Sequence, residues 1–288
     1  MVDRPGQSCV HYPDFIGVGA MRCGTTWITE RLRAHPAIHI PEDFKEVHFF
    51  DKFYDKGMPW YLSNFNEASP GQIFGEFTPN YMRSPEALER MAKHCSQSKI
   101  IVSLRDPVER IQSHHEFLRI RKEISPDIGE AIADERYDLL NAGMYGKQMQ
   151  AILEHYPMDR VHVILFDDIR YQPDRVLQSL YQFLDVNDSF KPEGLTTRSN
   201  ARHGVRSRGL AAVMRWVRHW VKPSISGRQR FKRWGIFKVG KWINRLNSTR
   251  ASRQKMDDST QTKIREMYAD DLRLLDKLLH GRVSHWLP

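Results

Sequence analysis

The 288-residue chain predicts a three-layer α/β/α fold around a central parallel sheet. Two observations carry this. Short apolar runs recur at DFIGVG (14–19), IFGEF (73–77), KIIVSL (99–104) and RVHVILFDDI (160–169). Runs of that length without strict polar alternation suit strands buried on both faces. Helix-patterned stretches separate or follow them, and strands alternating with helices argue for a parallel sheet covered on both sides. The length allows one sizeable core.

The elements follow in order. The first strand, 14–19, ends in glycine, and residues 26–34 form a helix that His35-Pro36 stops. The strand 99–104 runs directly into RDPVERIQSHHEFLRIR, where Asp106 caps a helix, Pro107 suits its first position and Glu109 completes a capping-box spacing. After the strand 160–169, residues 173–186 carry Val176, Leu180, Phe183 and Leu184 at helical spacing. Residues 206–250 read as one or two basic, tryptophan-bearing helices interrupted near Pro223 and Gly227. Residues 259–280 read as one amphipathic helix with Ile264, Met267, Tyr268, Leu272, Leu275 and Leu279 on its apolar side. No repeat or low-complexity linker divides the chain, so residues 1–288 are expected to form one domain: a core over 14–186, a basic helical segment over 194–256, and a C-terminal helical segment, 257–288, packed back on the core.

Composition narrows the class. The chain has no run of about 18 apolar residues, and its first residues, MVDRPGQSCVHYPDF, lack an apolar signal core. The expectation is a chain with no membrane span, in a reducing cytoplasm. Cys9, Cys23 and Cys95 are an odd number without paired spacing, which suggests neither a disulfide framework nor a zinc site. The net charge of +9 is unevenly placed: residues 194–256 hold 17 Lys/Arg and no Asp/Glu. The remainder of the chain is acidic. A local anionic partner fits this better than general nucleic-acid coating, and no specific nucleic-acid partner is expected.

GVGAMRCGTTWI (17–28) carries chemistry. Gly19 and Gly24 have the spacing of the nucleotide P-loop, between a strand and a helix, so the core is expected to be P-loop-NTPase-like. Thr25 stands at the lysine position of that pattern, and Arg22 precedes Gly24 by two residues. Successive N–H groups and the helix N-terminus can still cradle a tetrahedral anion. No acidic metal ligand follows the third strand, and no metal is expected. Taken alone, the loop is equally readable as a plain strand–turn–helix.

Three further motifs follow in order: KEVHFFD (45–51), GEFTPNY (75–81) and LRDPVERIQSHH (104–115). With the loop, they resemble the PAPS-dependent sulfotransferase family, in particular its heparan-sulfate-type and bacterial carbohydrate branch. The likeness covers about residues 14–186, and LLHGRVSHWLP resembles the family's closing segment. It implies that Arg22, Cys23, Gly24, Thr25, Thr26 and Trp27 hold the 5′-phosphosulfate of PAPS (3′-phosphoadenosine 5′-phosphosulfate) as donor. It assigns the 3′-phosphate to Arg105 and Ser113, and makes PAP the product. Arg22 stands where relatives usually have lysine; it keeps the charge but donates no proton at neutral pH, so it would stabilise the leaving phosphate.

The acceptor must lose a proton as it attacks sulfur. The resemblance gives that task to Glu46. His48, which shares a face with Glu46 if the segment is extended, either orients the base, contacts the acceptor, or is structural. Tyr145 and Gln148 lie where the family's acceptor side does; Lys45 either pairs with the acceptor or is solvated, and Glu76 either helps the acceptor pocket or is structural. Phe77 replaces a lysine common in relatives, which leaves the acceptor less defined than the donor. The expected acceptor is a hydroxyl, or less readily an amine, on a glycan, a lipid-linked molecule or another small molecule. The basic segment has three readings: a solvated cover with Trp216, Trp220, Trp234 and Trp242 inward, a lip for an anionic glycan or the 3′-phosphate through Arg202, or reversible attachment to an anionic membrane, which is not expected. Two rivals remain at this point: an ATP- and Mg²⁺-dependent phosphotransferase, and a non-catalytic anion- or glycan-binding module.

Overall fold

Five parallel strands form the central sheet: β1 (Phe15–Gly19), β2 (Ile38–His39), β3 (Ile73–Phe77), β4 (Lys99–Leu104) and β5 (Val161–Leu165), in the spatial order β2-β3-β1-β4-β5. β1 thus lies at the centre, with Phe15 opposite Gly75 on one side and Lys99 on the other. In such open sheets the crevice at the carboxyl ends of the strands, where the order reverses, is the natural ligand site. Here that place is the junction of β1 and β4.

The computed structural model describes residues 11–42, 46–121, 123–193, 203–205, 248–250 and 256–288. They belong to two compact units, one of residues 1–111, 135–199 and 257–288 and one of residues 112–134 and 200–256. The first unit holds the sheet and the helices α1 (Thr25–Ala34), α2 (Phe49–Lys52), α3 (Gly57–Ser63) and α4 (Pro85–Cys95), and the start of α5 (Pro107–Ile120). The second holds the rest of α5, α6 (Ile128–Ala133), which Asp127 caps by accepting from Glu130 N, and a short antiparallel ladder of β6 (His203–Val205) with β7 (Ser248–Arg250). Residues 248–250 are therefore strand where the sequence reads as helix. The remainder of the basic segment, with its four tryptophans and Arg202, lies outside the described residues, as does Lys45.

The first unit also contains α7 (Tyr145–Leu153), α8 (Phe166–Tyr171), α9 (Pro173–Phe183), α10 (Asp258–Met267) and α11 (Ala269–Leu278). Its core joins sheet residues Phe15, Phe77, Ile101 and Ile164 to Ile28 and Leu32 of α1 and Leu177 and Leu180 of α9. Each such side chain contributes roughly 1.5–3 kcal/mol through burial. The apolar repeats of α1 and α9 predict those inward faces, and Ser84 and Asp106 cap α4 and α5 through Ala87 N and Glu109 N as the local sequences suggest.

Two expectations are corrected. The strand expected over 160–169 ends at Leu165, and Phe166 begins α8. Asp167 and Asp168 then lie in a first helical turn, where carboxylates favour the helix dipole. The single C-terminal helix is two, broken at Tyr268, whose buried hydroxyl donates to Leu140 O at 2.7 Å. Asp271 accepts from Gly146 N and Lys147 N at the start of α7, and Arg265 pairs with Asp106 at 2.8 Å.

Candidate active site

The loop after β1 is tied to β4 twice: Ala20 N donates to Ser103 O at 2.7 Å, and Ser103 Oγ donates to Cys23 O. Arg22 and Gly24 both have left-handed backbone, with φ of 73° and 91°. At Gly24 a β-carbon would come within 2.9 Å of the Phe166 ring and 3.0 Å of Ile169, so only glycine fits. Gly24 is the N-cap of α1 and there is no acidic residue in the first turn. The first N–H groups of a helix have no partner within it, and the helix dipole adds positive potential there. This is the geometry with which a helix N-terminus can receive an anion.

Cys23 accepts from Ser103 Oγ through its carbonyl. Its thiol is buried, lies 3.3 Å from the Tyr145 hydroxyl, and is pushed up in pKa by that burial, which leaves it a poor nucleophile. Tyr145 is itself fully buried beneath the loop. Gln148, on the next turn, is partly exposed and donates to Asn141 O at 2.8 Å.

Arg105 follows β4 directly. Its side chain is 8% exposed, and its Nε and Nη2 donate to Glu109 Oε2 at 3.0 and 2.6 Å. Arg170 of α8 donates to the same oxygen at 2.8 Å. Both guanidinium groups lie over the Phe166 ring, at 4.5 and 4.6 Å from its centroid. Burial alone would raise the Glu109 carboxyl, but the hydrogen bonds from Arg170 and Arg105 outweigh it and hold the group at about 2. Ser113 is a partly buried residue of α5 in the second unit.

Glu46 and His48 meet, though not through an extended strand. His48 has φ 55° and is the N-cap residue of α2, so the condition of an extended segment is not met. Its Nε2 lies 3.2 Å from Glu46 Oε2 and its Nδ1 lies 2.9 Å from Asp51 Oδ2. Hydrogen bonds to Asp51 and Glu46 raise the imidazole to about 9, so it is protonated at neutral pH. The Glu46 side chain remains 29% exposed. Asp51 escaped the sequence reading; its signal is the three-residue spacing from His48 across one helical turn.

The segment is anchored from below. Val47 N and His48 N donate to Thr78 Oγ1 at 3.1 and 3.3 Å, and Thr78 N donates to Gly17 O at 2.8 Å. Glu46 is thereby fastened to the carboxyl ends of β1 and β3, at the edge from which the anion loop departs. Glu76 lies under this joint and is 1% exposed. Its carboxylate accepts from Thr78, Tyr81, Tyr61 and Val47 N, and burial raises its pKa against these bonds. Phe77 is 2% exposed and packs on Gly17, where a β-carbon would fall 2.1 Å from its ring. Among the described residues no cluster of His, Cys, Asp and Glu forms a metal-binding group, and no helix is long and apolar enough to cross a membrane.

The sulfotransferase domain family matches residues 12–268. This chain belongs to the sulfotransferase family. Within it, the chain is 22% identical over 290 residues to the membrane-associated sulfotransferase kil1 of Dictyostelium discoideum, covering 68% of this chain and 61% of that protein. It is 30% identical over 182 residues to human heparan sulfate glucosamine 3-O-sulfotransferase 3A1, covering 60% of this chain and 44% of that one. The chain thus spans about half of the curated relatives it matches. A sulfotransferase structure from Alicyclobacillus acidocaldarius superposes with a TM-score of 0.71 at 21% identity, over 96% of this chain and 99% of that one. The fold is shared: a P-loop-like α/β core with a central parallel sheet.

Proposed function

We propose that this sulfotransferase-family chain moves a sulfuryl group from PAPS to a hydroxyl of a carbohydrate or similar acceptor. The observation that carries the reading is that Val47 N and Thr78 N tie the segment bearing Glu46, through Thr78 Oγ1 and Gly17 O, to the strand from which the glycine loop departs. This suits a loop that cradles an anion and a Glu46 that acts as base. In this reading the loop N–H groups and Arg22 hold the phosphosulfate. The acceptor hydroxyl gives its proton to Glu46 as its oxygen attacks sulfur. The bond between sulfur and the bridging oxygen breaks, and its electron pair leaves on the phosphate of PAP. Fixed donors aimed at that oxygen stabilise the growing charge.

Protonated His48, held by Asp51, orients the Glu46 carboxylate. Arg105 takes the 3′-phosphate, and charge-assisted bonds of that kind are among the stronger ones available. The remaining acceptor-side residues, Lys45 and Gln148, are assigned to acceptor contact. A hydroxyl on a glycan is favoured because several relatives are heparan sulfate glucosamine 3-O-sulfotransferases. An amine acceptor is the second choice, since one relative is a bifunctional heparan sulfate N-deacetylase/N-sulfotransferase.

Titration with adenosine 3′,5′-bisphosphate and with ATP–Mg²⁺ tests the donor assignment. Binding of the bisphosphate in preference to ATP is expected. Tight ATP binding without bisphosphate binding would overturn it in favour of a phosphotransferase.

A further inference from the structure

Arg105, Glu109 and Arg170 form a single unit around the Phe166 ring, and the same ring closes the space beside Gly24. One carboxylate oxygen, Glu109 Oε2, accepts from Arg105 Nε and Nη2 and from Arg170 Nη2; Oε1 accepts from Arg170 Nη1 at 3.3 Å. Two guanidinium groups stacked on one ring repel each other unless an anion lies between them. Arg170 also pairs with Asp167 at 3.2 Å, which fixes its direction.

We propose that Glu109 is a resident counter-anion in the nucleotide site, and that Arg170 is a second ligand of the donor's 3′-phosphate, which binds by displacing the Glu109 carboxylate from between the two arginines. This rests on the assignment of Arg105 to the 3′-phosphate. A phosphate dianion presents three acceptor oxygens and about twice the charge of a carboxylate, so it suits a pair of planar forks better. The exchange is also geometrically open. The Glu109 side chain is 37% exposed and can swing into water, whereas Arg105 is 8% exposed and held in place. Glu109 stays ionised throughout the neutral range, so the competition changes little with pH.

Sequence motifs reach Arg105 but not Arg170, because the pairing spans 61 residues and joins two helices. It makes the selectivity for a 3′-phosphorylated nucleotide a balance between an internal and an external anion.

The test is calorimetric titration of the full chain and two variants with adenosine 3′,5′-bisphosphate and with adenosine 5′-phosphate, reading the ratio of the two affinities. Arg170→Gln should lower the ratio about tenfold or more, the effect of one charged hydrogen-bond donor. Glu109→Gln should raise it severalfold by removing the competitor, while its ligand-free melting temperature falls. Affinity for the 5′-phosphate should stay within about twofold in both. An unchanged ratio in Arg170→Gln overturns the role of Arg170. A lowered ratio in Glu109→Gln overturns the displacement, since Glu109 would then serve to orient Arg105. If either variant lacks a cooperative melt, Arg170→Lys, which keeps charge without the fork, decides: an intermediate ratio supports the proposal and a parental one overturns it. A parent chain that does not prefer the bisphosphate overturns the assignment of Arg105 and this inference with it, whereas failure in the variants alone leaves that assignment standing.

Discussion

His48 Nε2 lies 3.2 Å from Glu46 Oε2. The contact places an imidazolium against the proposed base, and the two residues should therefore fail differently. Glu46→Gln keeps size and removes basicity, so turnover should fall roughly 10²- to 10⁴-fold with nucleotide affinity retained. His48→Ala should cost less, since it disturbs orientation only. A far larger loss in His48→Ala than in Glu46→Gln would transfer the role of base to His48.

The His48 charge should also appear in stability. Its folded pKa of about 9 lies above the ordinary 6.5, so its pairing with Asp51 and Glu46 stabilises the fold fully below pH 6.5. That contribution is lost as pH rises through about 9. Denaturant melts between pH 6 and 10 should show the decline, and Asp51→Asn should flatten it. An imidazole that titrates near 6.5 by NMR in the parent chain would contradict the pairing.

Gly24→Ala should damage the anion cradle. The substitution meets both a left-handed φ of 91° and the Phe166 ring at 2.9 Å. Backbone strain of this kind costs about 1–3 kcal/mol. Bisphosphate binding should weaken sharply, more than the loss in melting temperature accounts for. Parental affinity in Gly24→Ala would mean that the loop does not hold the nucleotide.

Phe77→Lys restores the residue common in relatives but should not restore an active-site cation. The Phe77 side chain is 2% exposed and packed on Gly17, so the new ammonium would be buried among apolar groups. The loss should be at least the roughly 3–5 kcal/mol of a large core truncation. A stable and more active Phe77→Lys would show that the side chain can reach the site.

How much of this was legible in the sequence differs by element. β1, β3 and β4 are apolar runs that end where glycine, threonine or arginine takes over, and they were readable. β5 was read too long because Phe166 and Ile169 continue the apolar pattern into α8, where they pack on Gly24. β2, with two residues, carries no periodicity at all. In the site, the motifs supplied Arg22, Glu46, His48 and Arg105. They could not supply the partners, because the contacts of Arg170 with Glu109 and of Glu76 with Tyr61 depend on chain segments brought together by the sheet. The left-handed backbone at His48 was equally hidden, since nothing in KEVHFFD marks it.

The most direct test of the account is transfer of radiolabelled sulfate from PAPS to a mixed panel of glycan and small hydroxylated acceptors, with γ-labelled ATP–Mg²⁺ run in parallel. The account predicts label transferred from PAPS in proportion to enzyme, with PAP formed alongside, near-complete loss in Glu46→Gln, and no transfer from ATP. Label moving from ATP and not from PAPS, or PAPS transfer undiminished in Glu46→Gln, would contradict it.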